Sequence, residues 1–256
     1  MRNVALVSYY TMLRKEFVRM MRIWSQTFLP SVVTSSLYFV VFGAFIGSQI
    51  APIEGFSYMQ FIVPGLVMMA VITNSYSNTV STFYFAKWVR NIDEILVSPT
   101  PNWVIIAGFV SGGVMRGIIT GFLVLLVSLF FTHLTIYNLL IIFAALILTA
   151  TLFSMAGLIN GIFAKGFDGI SIVPTFVLTP LTYLGGIFFS ISLFPPFWQT
   201  VSLFNPILYM VNAFRYGFLG ITDVPLLYCF AVLIVFNVAF LGVVAYLFKK
   251  GIGMKN

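Results

Sequence analysis

The chain has 256 residues, of which 61% are hydrophobic and only 7% are charged, and its mean hydropathy is +1.07. Soluble domains carry roughly 25% charged residues, so this composition excludes an ordinary soluble domain and indicates a membrane protein. The net charge is +7, but the basic residues flank apolar runs, which favours membrane orientation over nucleic-acid binding. The single cysteine, Cys229, has no partner for an intrachain disulfide, and we interpret it as a packing residue.

Six long apolar runs predict six membrane-spanning helices, because a helix needs about 20 residues to cross a hydrocarbon core of roughly 30 Å. The runs cover residues 27–50, 61–85, 104–131, 137–163, 170–190 and 225–248. The prediction is therefore an all-α integral membrane domain over residues 27–256, preceded by a separate segment of residues 1–26. The first run is itself long enough to span, so no removable signal peptide is expected.

The distribution of lysine and arginine predicts that both termini are cytoplasmic. With the N-terminus inside, eleven of the thirteen basic residues fall on the cytoplasmic side. Of the other two, Arg215 falls in an outer segment and Arg116 lies within the third run. The eleven are Arg2, Arg14, Lys15, Arg19, Arg22, Lys87, Arg90, Lys165, Lys249, Lys250 and Lys255.

The segment of residues 1–26 has the pattern of a basic amphipathic helix. Its apolar residues recur at steps of three and four, and its cations fall on another face. The apolar set is Tyr10, Leu13, Phe17, Met20 and Trp24, and the cations are Lys15, Arg19 and Arg22. Such a helix lies in the headgroup plane with its cations toward anionic lipid. It either anchors the chain only or also transmits movement.

The segment of residues 194–223 is rich in aromatic residues but is interrupted by prolines. Pro195-Pro196 and Asn205-Pro206 leave pieces that are too short to span a membrane. We expect short re-entrant helices that dip into the outer leaflet or cap the spans before the last span. A seventh and an eighth span are the competing interpretation.

The ionisable residues argue against chemistry within this chain. All six acids fall in loops or at span ends, namely Glu16, Glu54, Asp93, Glu94, Asp168 and Asp223. Ion-coupled carriers usually hold such groups inside the bilayer, so ion coupling is disfavoured. The lone His133 in an outer turn leaves no histidine pair for a metal and no buried catalytic triad. No Gly-Lys pair of a phosphate-binding loop is present, so any ATP must be hydrolysed by another chain.

Several polar residues lie inside the apolar runs. Arg116 either snorkels inward, with residues 104–111 along the inner surface, or meets a polar cavity or a lipid phosphate. Asn74, Asn78, Thr179 and Tyr183 are candidates for a substrate path. Hydrogen bonding between packed helices is the alternative role for such side chains.

The inner loop after the second span predicts a short amphipathic helix that faces the cytoplasm. Trp88, Ile92, Ile95 and Leu96 share one helical face, whereas Arg90, Asp93 and Glu94 are polar, and Pro99 and Pro101 end the helix. It either lies on the bilayer or docks on a soluble partner. In the docking case, the apolar residues would supply the buried contact and the charged ones its rim.

Together these stretches resemble the permease subunits of ABC-2 type exporters, closely those of a YadH-like bacterial branch. The matching stretches are residues 55–66, 90–101, 178–186, 195–198, 205–206 and 214–217, and the similarity spans nearly the whole chain. The resemblance implies a homodimer of six-helix subunits in the bacterial inner membrane. It also implies two cytoplasmic ATPase subunits that bind ATP and magnesium, whereas this chain binds no cofactor.

In that scheme, residues 1–26 form the connecting helix and residues 87–97 form the coupling helix that docks on the ATPase. The implied function is ATP-driven export of an amphiphilic or hydrophobic substrate. A passive channel or scaffold without an ATPase is the alternative, and an ion-driven carrier ranks third because the spans lack acids.

Overall fold

The computed structural model describes residues 2–253, so the predicted inner cation Lys255 lies outside the described residues. Within that range the regular elements are helices. They are α1 (Arg2–Arg22), α2 (Trp24–Tyr38), α3 (Tyr58–Trp88), α4 (Asn91–Val97), α5 (Asn102–Ser128), α6 (Leu139–Phe163), α7 (Phe167–Val173), α8 (Thr179–Tyr183), α9 (Pro196–Leu203), α10 (Pro206–Leu219) and α11 (Leu226–Lys250). A π-helical stretch, Phe39–Ile46, extends α2, and two short 3-10 turns cover Gly47–Gln49 and Ile191–Leu193.

Five helices of the described chain are long and apolar enough to cross a membrane. They are Trp24–Gly43, Tyr58–Trp88, Asn102–Ser128, Leu139–Phe163 and Leu226–Lys250. They coincide with the first, second, third, fourth and sixth predicted spans. The all-α membrane class is therefore confirmed, whereas the count of six spans is not.

The predicted fifth span, residues 170–190, has a different form. Its helix begins at Phe167, widens into a π-helical turn at Pro174–Leu178 and ends at Tyr183. Proline at positions 174 and 180 removes backbone donors, which disfavours a regular α-helix here. Gly186 has a φ of +71°, a left-handed conformation that suits glycine, and the chain turns there. The prediction that this helix continues to Ser190 is wrong.

The core of the bundle is α3, which packs against α5, α6 and α10. A capping box between Ser57 and Gln60 begins this helix. Along α5, Gly113 and Gly117 lie directly against Thr79 and Ser75 of α3, where a Cβ atom would collide. Small residues thus let these two helices approach closely, as is typical of membrane bundles.

The region of residues 194–223 forms two short helices, α9 and α10, of 8 and 14 residues. Asn205 caps α10 by accepting a hydrogen bond from the backbone N–H of Ile207 at 3.0 Å, and Pro206 occupies its first turn. Gly220 ends α10 in a left-handed conformation. Neither helix is among those long enough to cross a membrane, so a seventh and an eighth span are not found in the described chain.

Candidate functional site

The N-terminal helix α1 packs onto a glycine face of α5. Gly108 lies against Met12, and Gly112 lies against Glu16, leaving no space for a Cβ atom at either glycine. A hydrogen bond of 2.9 Å joins the hydroxyls of Tyr9 and Ser111 beside these contacts. The side of α1 that faces the bundle is therefore partly polar.

A charged cluster connects α1 to α3. The Arg19 guanidinium donates to Glu16 Oε2 at 2.7 Å, to Asn78 Oδ1 at 3.0 Å and to the hydroxyl of Thr82. Glu16 is buried, and Arg19 is half-buried, with its guanidinium bonded to residues of the bundle. Of the three cations predicted to share one face, Arg19 is thus engaged within the chain, whereas Lys15 and Arg22 are exposed.

The apolar residues predicted to share one face within residues 1–26 are largely uncovered by the rest of the described chain. Tyr10, Phe17 and Trp24 are exposed, Leu13 is half-buried, and Met20 is buried. Exposed aromatic residues next to cations are typical of a helix at a membrane interface.

Arg116 lies one turn beyond the contact between α1 and α5. It is half-buried, and its guanidinium donates to the backbone carbonyl of Thr27 at 3.3 Å. Helix α5 is continuous from Asn102 to Ser128, so residues 104–111 belong to the same helix as Arg116. Arg116 ties α5 to the start of α2.

The predicted coupling segment is divided between two helices. Trp88 belongs to the end of α3, Arg90 adopts a left-handed conformation between the helices, and Asn91 begins α4. Ile92 is only 1% exposed and packs with Phe83 and Ile105, so it is not available to a partner, contrary to the prediction. Ile95 and Leu96 are partly buried against the same cluster.

The remaining residues of this segment form an exposed surface. Trp88, Arg90, Asp93 and Glu94 are exposed, and Val97 is 87% exposed. The predicted contact residues omit Val97, although its position two residues before Pro99 could have suggested an uncovered end. We call these five residues the α4 surface.

Lys87 does not belong to this surface. Its side chain is buried, and its ammonium donates to the backbone carbonyl of Ile162 at 2.9 Å, near the end of α6. A cation at a helix C-terminus compensates unpaired carbonyls, so Lys87 fixes α3 to α6 directly behind α4.

The four predicted substrate-path residues lie in different surroundings. Asn74 is buried and donates to Ser31 Oγ at 2.9 Å, beside a cavity of about 190 Å³ between α2 and α3. Asn78 is occupied by Arg19. Thr179 is exposed and donates to the carbonyl of Pro174 at 2.9 Å. Tyr183 is half-exposed, and its ring stacks on Phe188 with centroids 5.9 Å apart.

A second, enclosed charge cluster lies at the other end of the bundle, where the sequence predicted only a single cation, Arg215, in an outer segment. Arg215 on α10 is 1% exposed, with Nη1 at 3.8 Å from Asp223 Oδ2 and its guanidinium 3.8 Å above the ring of Phe61. It also donates to the carbonyl of Gly186, and Asp223 accepts a hydrogen bond from the hydroxyl of Ser190.

The surroundings of Arg215 in this cluster change its pKa. Burial lowers the pKa of Arg215 to about 10, while the negative charges of Asp223 and Glu54 raise it. Arg215 thus stays charged at neutral pH. One signal could have found it, because Arg215 and Asp223 are opposite charges close together in a region that otherwise contains no ionisable side chain except tyrosine.

A larger apolar groove of about 380 Å³ lies between α3, α6, the α7 to α8 segment, α10 and α11. The hydroxyl of Tyr76 is buried at this groove, and Asn160 lines it as well. Among residues 2–253, no group of three or more His, Cys, Asp and Glu side chains could hold a metal ion. His133 contributes its backbone carbonyl, which accepts from Gln60 Nε2 at 3.0 Å.

Comparison with known proteins gives concordant matches. The inner membrane transport permease YadH of Escherichia coli (strain K12) is 58% identical over 242 residues, which cover 94% of each chain. The protein of the same name from Shigella flexneri matches equally well. Nodulation protein J of Neorhizobium galegae is 20% identical over 216 residues, which cover 84% of this chain and 82% of that protein. The ABC-2 type transporter model matches residues 7–219, and the chain therefore belongs to the ABC-2 type transporter family.

Proposed function

We propose that this chain is the transmembrane subunit of an ATP-driven exporter in the bacterial inner membrane, with both termini in the cytoplasm. The helix from Phe167 to Tyr183 would serve as a sixth, bent span, and α9 and α10 would be re-entrant helices at the outer surface. Energy would come from two separate ATPase subunits that bind ATP and magnesium. The transported substrate would be amphiphilic or hydrophobic.

The α4 surface carries this proposal. Val97 and Trp88 expose apolar area on either side of Asp93 and Glu94, while Ile92 anchors the same short helix in the core. A rigidly anchored helix with an uncovered apolar and acidic face suits docking of a soluble partner. Lys87 and Ile92 connect this surface to α3 and the core, so force applied at α4 would reach the central helix.

The relatives support the same function. The Escherichia coli protein is named an inner membrane transport permease, and its similarity covers nearly the full length of both chains. The sequence supplies no nucleotide-binding motif of its own, which agrees with a subunit powered by another chain.

The substrate path would form between two copies of the chain. Leu29, Val33 and Leu37 form an exposed apolar stripe at steps of four residues on α2. The cavity beside Asn74 adjoins α2, and the exposed side chains of Phe176 and Tyr183 present further apolar surface. A homodimer that covers these faces would enclose a largely apolar path with a few polar groups.

The test is to search the adjacent reading frames for an ABC ATPase, to co-express it with the chain, to purify the complex through a tag on the chain and to reconstitute it in vesicles. We expect equal amounts of the two proteins and ATP hydrolysis that requires both. The matched control is the same ATPase with its catalytic glutamate changed to glutamine. A chain that purifies as a dimer without an ATPase and conducts solutes without ATP would instead support a passive channel.

A further inference from the structure

A basic pocket with a volume of about 530 Å³ lies along one side of α1. We call it the basic groove, and it is lined by Thr11, Arg14, Lys15, Val18, Arg19, Arg22 and Ile23. It extends to the junction of α1 and α2, since one of its lining residues, Ile23, separates these two helices. Four of its seven lining residues are cations.

The positive charge of the basic groove is largely uncompensated. Glu16 is the acid next to it, and Arg19 already pairs with that carboxylate at 2.7 Å. Across residues 2–253, no carboxylate lies within ion-pair distance of Arg14, Lys15 or Arg22, and all three side chains are exposed. Arg116 adds a fifth positive charge close to Arg19. The groove is therefore complementary to an anion.

Apolar residues border the same groove. Val18 and Ile23 line it together with the cations, and both apolar side chains are exposed. A free phosphate ion would use only the cations, whereas a phospholipid would also cover this apolar border with its acyl chains. Amphipathic helices with this arrangement lie at the boundary between headgroups and acyl chains.

We propose that the basic groove is a binding site for the phosphate group of an anionic glycerophospholipid. Arg14, Lys15 and Arg22 would hold the phosphate from the exposed side, and Arg19 would form the base of the site. Because Arg19 also bonds to Asn78 and Thr82, a bound lipid would brace α1 against α3. Assignment to the inner leaflet rests on the proposed cytoplasmic N-terminus, whereas the site itself does not.

The experiment uses Trp24 as a local reporter. The chain has four tryptophans, and replacing Trp88, Trp103 and Trp198 with phenylalanine leaves only Trp24, which directly follows the groove residue Ile23. Full-length protein is reconstituted in nanodiscs of phosphatidylethanolamine to which phosphatidylglycerol with brominated acyl chains is added, and quenching of Trp24 is measured. Brominated phosphatidylethanolamine is the reference lipid. Both leaflets carry the lipid, so neither orientation nor an ATPase affects the result.

Two charge variants are compared. The groove variant combines Arg14→Gln, Lys15→Gln and Arg22→Gln, and the control combines Lys165→Gln, Lys249→Gln and Lys250→Gln, which removes the same charge elsewhere. We expect preferential quenching by phosphatidylglycerol that weakens by about fivefold per groove cation removed and persists in the control. Equal selectivity in both variants would overturn the site, because it would indicate general attraction to a basic protein.

Two further measurements keep the result interpretable. Raising the salt concentration with the unsubstituted groove should remove the preference for phosphatidylglycerol, which checks the role of charge even if the groove variant folds poorly. Inorganic phosphate should not displace the brominated lipid. Displacement by phosphate at low concentration would overturn the lipid assignment in favour of a site for free phosphate.

Discussion

The two ends of the bundle each contain an arginine that forms an ion pair with an acid, but they bury these charges to different extents. At the α1 end, the side chain of Arg19 is 37% exposed and that of Glu16 is 5% exposed. At the α10 end, the side chain of Arg215 is 1% exposed and that of Asp223 is 10% exposed. The first pair opens onto the basic groove, whereas the second is enclosed by Phe61 and the Gly186 turn.

This difference indicates which end can move. A partly exposed ion pair contributes only about 0 to 1 kcal/mol, because water and salt replace the lost partner. Breaking a buried pair costs about 3–5 kcal/mol, since one charge is left without compensation. We therefore expect α1 to separate from α3 more readily during a transport cycle than α10 separates from the bundle.

The largest predicted effect follows from Arg215→Gln. This change leaves Asp223 and the carbonyl of Gly186 without their charged partner, so the stability should fall by about 3–5 kcal/mol. Thermal unfolding of the purified protein measures it, and Arg90→Gln, which removes an exposed arginine, is the control. An Arg215→Gln protein with an unchanged Tm would show that the α10 cluster is not what holds this end.

A smaller effect is expected from Gly112→Val. The added carbon would lie 2.9 Å from the Cγ atom of Glu16, so α1 must move away from α5. Overpacking of this kind costs about 1–3 kcal/mol. Gly242→Val is the matched control because a Cβ atom there has no neighbour within 4 Å in the described chain. Limited proteolysis should cut α1 faster in Gly112→Val only, and equal rates would argue against the packing of α1 on α5.

The next effect concerns the pair itself. Glu16→Gln keeps the shape of the side chain and removes its charge, so we expect a loss of about 1 kcal/mol or less, well below that of Arg215→Gln. Thermal unfolding at low and high salt checks it, since salt should reduce the difference between Glu16→Gln and the unsubstituted protein. A loss as large as that of Arg215→Gln would remove the contrast between the two ends.

The sequence predicts the helices better than it predicts the contacts between them. Apolar run length locates five helices because crossing a bilayer sets a length that any sequence must satisfy. It overestimates the length of the fifth helix, because the length of an apolar run does not reveal that the chain turns at Gly186. It also cannot show that Arg19 reaches Asn78, or that Ile92 faces the core, since both depend on how α1 and α4 pack on other helices.

The candidate site shows the same limit. Helical periodicity placed Trp88, Ile92, Ile95 and Leu96 on one face, but an apolar face can pack against a partner or against its own chain. The structure distinguishes these possibilities, because Ile92 is buried within the chain while Trp88 is exposed. The association of the α4 surface with an ATPase stays a prediction.

Changing both Asp93 and Glu94 to lysine should have the smallest effect on stability. It should nevertheless have a large effect on function. Both side chains are exposed on the α4 surface, so changing both to lysine should alter stability by no more than about 0.5 kcal/mol. If these acids face a basic rim on an ATPase, the double variant should lose association and ATP-driven export through repulsion.

Ile92→Ala is the converse control, because truncating this buried residue should cost about 2–5 kcal/mol of stability. The measurements are protein abundance, Tm, co-purification with the ATPase and export by reconstituted vesicles. Normal abundance with lost association would assign the acids to coupling, whereas full export with unchanged association would leave α4 as a helix that only lies on the membrane surface.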